Sequence, residues 1–523
     1  MGRLISVLSD RKGPQMRRIA ATIAVAALTL TGCATGEDSG ASDGTINAAV
    51  AYATTNYDPS ATSSALALGT NWHVMEGLYE LNMADYSVYK GLAAEDEPTK
   101  VSDTEYTVSL REGAKFSDGT DVTSADVVHS FERAMKEGNL YASMLNFIDS
   151  VEAKDERTVT IKLKKPFSLL QERLAVVKIV PKDATEEQLT SKPVGTGPYK
   201  YESIDDARIK AVKNENYNGT KPAGSDAIEW EVLIDDTART TALQSGSVDV
   251  MENVPADNRS QLESAGMTVE SKKGFNQPFL IFNTQKAPFN DKRVRQALHY
   301  AINTQQLVDN NMSGTATPAS SFLPENHPNY HKAATQYEYD PEKAKKLLAE
   351  AGVDKLNITL LTTDHTWIEN LSPQIKNDLE AVGIGVTLQA QASASLYADN
   401  LDQENSNYDV ALAPGDPSVF GQDPALLIDW WYGNNVWTQK RSFLQESDPA
   451  TYQAIRAAVD EGVTLEGDAQ QQKWNEALDI IADNAVTYPL FHREMITAYN
   501  DEKVSDFAPI STTGLSFLGT KTN

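Results

Sequence analysis

The chain has 523 residues, 46 basic and 73 acidic, for a formal charge of −27. Five of the basic groups and one acid fall in the first 32 residues, so the part from Cys33 onward carries −31. Such a surface repels nucleic acid and anionic membrane, which excludes polyanion-binding functions, and the length suits roughly three compact units.

Met16-Arg17-Arg18 leads into the twelve-residue apolar run Ile19–Leu30. At about 1.5 Å per residue that run is too short to cross a hydrocarbon core of about 30 Å. Basic residues followed by a short apolar run predict an export signal over residues 1–32, with Met16 a better start than Met1. Leu30-Thr31-Gly32-Cys33 resembles a bacterial lipobox, which implies lipidation at Cys33 and attachment to the membrane through that lipid. Cys33 is the only cysteine, so no disulfide can form within the chain. Residues 34–44, small and polar, read as a tether.

Thr45–Tyr52 alternates as a first strand, and Thr54–Ser60 is the loop after it. Trp72–Leu81 reads as a helix and Glu105–Leu110 as a strand. Thr123 and Asp126 form a capping box that opens a helix with Val127, Val128, Phe131 and Met135 on its apolar face. Val151–Ala153 and Val159–Leu163 form a hairpin, and residues 82–190 read as a small α+β unit. Strands at Ile228–Ile234 and Val248–Met251 flank a helix at Ala238–Ser245, and Phe279–Asn283 is a further apolar strand. Asn290 or Asp291 caps a helix carrying Val294, Ala297, Leu298, Ala301 and Ile302. Asp340-Pro341 starts a helix that stops at Gly352. Leu356–Leu361, a helix around Ile375–Val382, and Gly385–Gln389 make a βαβ unit. Helices at Thr451–Glu461 and Ala469–Asn484 precede a strand at Val486–Phe491. Strands alternating with helices predict α/β lobes.

Several short motifs carry no chemistry. Gly40-Ala41-Ser42-Asp43-Gly44 fits G-x-S-x-G but has neither the strand before it nor the helix after it that a nucleophile elbow needs. His327 and His331 have the spacing of a metal pair, yet Pro328 forbids the helix that would align them. No metal, cofactor or catalytic set is expected, and the chain does not read as an enzyme. The stretch Tyr408–Trp437 does hold a candidate site. A short strand, Val410–Ala413, runs into Pro414-Gly415-Asp416-Pro417, and Trp430, Trp431 and Trp437 follow. This sets a carboxylate at a strand end beside aromatic side chains that are either pocket wall or core.

Segments spread over residues 45–500 resemble, in order, the extracellular solute-binding proteins of peptide/nickel-type ABC importers. They include Leu110–Gly113 with Phe116–Thr120, Ser124–Val128, Gly195–Tyr199, Ala238-Arg239 with Leu243–Asp249, and Phe282-Asn283 with Pro288–Leu298. Tyr339–Ala351 and Tyr488–His492 complete the set. The resemblance implies a two-lobe, periplasmic-binding-protein-like α/β fold of type II with an extra α+β subdomain in lobe I. Lobe I would be 45–282 plus 489–523, with the subdomain at 82–190, and lobe II 283–488. Most of these motifs, the Arg111 and Arg295 segments among them, are expected to maintain the fold rather than touch ligand.

The resemblance implies a lipid-anchored, monomeric receptor that captures a peptide between closing lobes and delivers it to a membrane permease. In the family an Asp placed like Asp416 holds the ligand's ammonium, with Asp423 as its rival. The ligand backbone would pair along Leu412–Gly415, using Ala413 and Gly415, and Thr54 and Asn56 complete the candidate ligand-binding set. Dipeptide binders of the family clamp the ligand carboxylate with an Arg in the loop after the strand at Leu356–Leu361. Here that loop, Thr362–Trp367, has no Arg or Lys, which favours longer peptides whose C-terminus meets water, Lys440 or Arg441. Three tryptophans would also suit an oligosaccharide. A secreted peptide or glycan hydrolase and a sensor without transport are the remaining alternatives.

Overall fold

The computed structural model describes residues 44–523. The export signal, Cys33 and nearly all of the tether lie outside the described residues. The described residues form one compact unit built on two main sheets.

The first sheet runs in the order 268–273, 491–499, 250–251, 45–50, 227–232, 208–213 and 199–204, with 316–318 added on 491–493. Thr45–Val50 lies at its centre, parallel to both neighbours. Its burial is nearly continuous, as a strand covered on both faces requires. The second sheet runs 384–391, 356–363, 410–415, 277–282 and 487–489. The predicted βαβ unit is there: Leu356–Thr363 and Ile384–Gln391 pair in parallel, joined through the helix Ser372–Ala381. A four-stranded antiparallel sheet (99–102, 105–109, 158–163, 148–155) with the helix Ser124–Met135 forms the extra subdomain. The fold is therefore the type II, two-lobe α/β arrangement.

The helix starts follow their local chemistry. Asp291 accepts from Arg293 N ahead of Lys292–Ala301, whose Val294, Ala297, Leu298 and Ala301 are buried. Asp340 accepts from Lys343 N, with Pro341 as the first helical residue. Arg295 is buried and donates to the carbonyls of Asn484 and Phe289. Arg111 pairs with Glu76 at 2.7 Å and donates to Asn218.

Two expectations fail. Trp72–Leu81 is not a helix: the helix is Ala65–Val74, capped by Ser64, and Tyr79–Leu81 is a strand. Buried Gly69 and Thr70, poor helix formers, masked the helix's first part from a reading by pattern. The crossing between lobes also comes earlier than Phe282. Gln277–Phe282 belongs wholly to the second sheet, so the chain crosses at residues 274–276 and returns at Leu490. Gly274 marks the first crossing, passing so close to Ser511 that a Cβ would lie 1.7 Å from its carbonyl oxygen.

Candidate ligand-binding site

The two crossings meet where Arg493 N donates to the Asn276 carbonyl at 2.8 Å. Above this point lies a cleft of about 150 Å³. Lobe I contributes Tyr52, Asp236, Arg239 and residues 253–257, and lobe II contributes Asn311, Met312 and the loop 364–367. The lobes are in contact across it: the rings of Tyr52 and His365 meet edge to face at 5.4 Å.

Arg493 is the central group. It is 7% exposed, donates through Nη2 to Asn253 Oδ1, and lays its guanidinium 4.4 Å over the Trp367 ring. Among the described residues no carboxylate lies within ion-pair distance of it. Burial pulls its pKa down, as expected for a cation taken out of water, while the charges of Glu252, Asp236 and Asp416 oppose that shift. The neighbouring Arg239 differs. Its guanidinium is tied to Asp236 and to the carbonyls of Leu233, Ile234 and Asn253.

Two carboxylates, Asp416 and Glu252, whose charges act on Arg493, have no ion-pair partner among the described residues. Asp416 caps the turn Pro417–Phe420, with Oδ1 accepting from Ser418 N and Oγ. Its Oδ2 accepts from Thr512 Oγ1 at 3.0 Å, Thr513 N at 3.1 Å and Thr513 Oγ1 at 3.4 Å, on the C-terminal segment of lobe I. Glu252 is buried and accepts from Gly514 N at 2.9 Å. Burial pushes both pKa values up, with these hydrogen bonds opposing it. The Asp416 charge acts on both Arg493 and Tyr86, and burial and that charge push the Tyr86 hydroxyl up to about 12.

The other sequence candidates are placed as follows. Asp423 is not free for ligand: Arg173 grips both of its oxygens at 2.7 and 2.9 Å, and it caps the helix Pro424–Tyr432 through Leu426 N. Leu412 cannot pair with a ligand backbone, because the residues from Val410 to Leu412 are held on both edges by Ile281–Phe282 or Leu280 and by Leu360–Thr362. Only Ala413–Gly415 keeps one edge free of a strand partner. Thr54 and Asn56 are spent on the turn itself, Thr54 Oγ1 accepting from Asn56 N and Asn56 Oδ1 from Asp58 N.

Trp430, Trp431 and Trp437 are all buried. Trp430 packs on Phe420 at 5.2 Å, and Trp431 is surrounded by Phe275, Phe279, Phe322 and Trp437. Trp437 carries Arg441 on its ring at 4.2 Å, while Asp402 pairs with that arginine. Their rings are therefore engaged in packing, which leaves no open stacking platform for a sugar. His327 binds the Gln422 carbonyl and His331 binds Asp479, so the two imidazoles serve different partners. Among the described residues no cluster of His, Cys, Asp and Glu could hold a metal, and no helix is long and apolar enough to cross a membrane.

Sequence reasoning missed Arg493, Glu252, Tyr52 and Trp367. One signal was available, since Arg493 directly follows Tyr488–His492, a segment read only as fold-maintaining.

Two α/β lobes joined by short crossings, with charged side chains at the cleft between them, are the architecture of a solute-binding protein. Residues 88–438 match the bacterial extracellular solute-binding proteins, family 5, middle, and the chain belongs to that family. It is 28% identical over 485 residues to the glutathione-binding protein GsiB of Salmonella paratyphi A, covering 88% of this chain and 91% of that protein. It is similar to the structure of AgaA from A. tumefaciens R10 in complex with agropinic acid, with a TM-score of 0.81 and 26% identity, covering 92% and 99% of the two chains. The fold also matches DppA from Helicobacter pylori in complex with the peptide STSA, with a TM-score of 0.80 and 23% identity over 91% and 98%.

Proposed function

We propose that the protein is the extracytoplasmic capture component of an ABC importer, lipid-anchored at Cys33 and monomeric. It takes up short peptides bearing a free carboxylate and hands them to a membrane permease. Arg493 carries this reading, as a buried guanidinium held in place by Asn253 and Trp367 with no carboxylate in ion-pair contact among the described residues. Such a group is costly to keep unless a ligand carboxylate completes it. The absence of an Arg from Thr362–Trp367 argued for longer peptides. Arg493 removes that argument, because it brings a guanidinium from another strand onto Trp367 of the same loop. Asp416 and Glu252 then offer negative charge to the ligand's ammonium, so the cleft suits a zwitterion. The relatives named for glutathione and for a peptide complex are consistent with such a ligand.

Isothermal titration with di-, tri- and tetrapeptides and with reduced glutathione tests this. At least one should bind, and Arg493→Met should weaken it more than 100-fold, since stranding a buried charge costs roughly 3–5 kcal/mol. Amidating the peptide's C-terminus should weaken wild type as much and the variant no further. Equal affinity of wild type and Arg493→Met for a free-carboxylate peptide would sink the assignment.

A further inference from the structure

The second sheet has two distinct faces. Leu280, Phe282, Leu360, Val410 and Leu412 pack on one side, while Phe279, Ile281, Leu361, Ala411 and Ala413 pack on the other, with Trp431 and Trp437. Because side chains alternate along a strand, Gln277 and Thr363 continue the tryptophan side at the cleft end of the sheet. Gln277 lies opposite Gly415 in the register. A Cβ on Gly415 would meet Trp431 Cζ2 at 2.5 Å and Phe279 Cε1 at 2.9 Å, so the edge of the indole next to its N–H occupies the space a side chain would take. Trp431 and Trp437 sit 6.0 Å apart at 75°, both edge-on to Phe279.

Gln277 and Thr363 have no exposed surface, and both indoles are buried. Both ends of the Gln277 amide, the Thr363 hydroxyl and the two indole N–H groups nevertheless have no hydrogen-bond partner among the described residues. Buried polar groups are nearly always paired. Several unpartnered ones on the tryptophan side of one sheet point to a partner brought from outside.

We propose that Gln277, Trp431, Trp437 and Thr363 form a subsite for an uncharged primary carboxamide on the ligand, such as the side chain of glutamine or asparagine. This rests on the reading of the protein as a peptide receptor. The carboxamide oxygen accepts from an indole N–H, and its NH₂ donates to Gln277 Oε1 while the Gln277 NH₂ donates in return. A carboxylate would leave Gln277 Oε1 without a donor. It would also be buried without a free cation, because Arg441, over Trp437, is already bound to Asp402 at 2.6 and 3.0 Å. An apolar side chain would leave every polar atom of the subsite unpaired, the situation in which a hydrogen-bonding site discriminates most strongly.

The test is calorimetry of the purified protein with Ala-Gln, Ala-Glu and Ala-Met, and with the reversed Gln-Ala, Glu-Ala and Met-Ala, side chains of similar size. In one of the two orders the Gln peptide should bind at least tenfold more tightly than its Glu and Met counterparts. Gln277→Met should abolish that preference, with the Met peptide bound at least as tightly as by wild type, and Thr363→Val should reduce the preference at least threefold. The ligand-free melting temperature of Gln277→Met should match or exceed that of wild type, which shows the variant is folded. The subsite is overturned if Met peptides bind but Gln peptides bind no better, if Glu is preferred, or if the preference survives both substitutions. If none of the six peptides binds, the peptide reading itself falls and takes this inference with it.

Discussion

Arg173 and Arg493 are both buried, at 1% and 7% exposure, and both lie where separate parts of the chain meet. Arg173 joins the extra subdomain to the tryptophan helix. Asp423 holds it at two points, Asp429 stands 3.7 Å away, and Arg456 in turn pairs with Asp429. Two arginines there meet two aspartates, and the region is neutral as built. Arg493 has the side-chain amide oxygen of Asn253 and an aromatic face, and of the carboxylates whose charge acts on it, Glu252 and Asp416 are satisfied by neutral donors while Asp236 is paired with Arg239. The two regions use the same residue types at similar depth. What separates the structural ion pair from the proposed ligand site is whether the charges meet in direct contact within the chain.

Breaking the compensated region should have the largest effect. Arg173→Met strands Asp423 and should cost roughly 3–5 kcal/mol of stability, read by chemical denaturation. A loss below about 1 kcal/mol would mean that the network does not hold the subdomain as its geometry indicates.

The second test sharpens the comparison through pH. Burial holds the Asp416 pKa above its ordinary value, so the carboxylate takes up a proton nearer neutrality than a free aspartate does. Peptide affinity should therefore fall as pH is lowered through that raised pKa, approaching tenfold per pH unit below it. The ligand-free protein should respond in the opposite sense at this group. A raised folded-state pKa means that the native state binds the proton better than the unfolded chain, so this contribution to stability grows on acidification. Asp416→Asn should flatten the affinity profile, and an unchanged profile would remove Asp416 from the ammonium site.

The smallest effect is expected from Arg493→Met on ligand-free stability. Losing the Asn253 hydrogen bond and shedding a buried, uncompensated charge oppose each other, so the change should stay within about 1 kcal/mol. A loss as large as that of Arg173→Met would make Arg493 a structural residue instead.

The sequence exposed what depends on neighbours along the chain. Asp291, Asp340-Pro341 and the Thr123–Asp126 box gave helix starts because a cap is a contact over three residues. The apolar spacing after Asp291 and the alternation from Leu356 to Gln389 gave the helix and the βαβ unit. Ordered motifs over most of the chain gave the family and the two-lobe plan. Asp416 was visible as a carboxylate at a strand end, with Asp423 as its rival, alike in chemistry and weaker in its match to the family.

Tertiary structure gives the two different partners. Arg173, 250 positions away, claims Asp423, while Asp416 receives only hydroxyl and amide donors from residues 512 and 513. The same long-range geometry places Arg493 on Trp367 and leaves Gln277 facing the tryptophan side with no partner. Caps and periodicity are short-range and legible in order. Charge cancellation is a sum over everything folded around a group, and no stretch of sequence contains that sum.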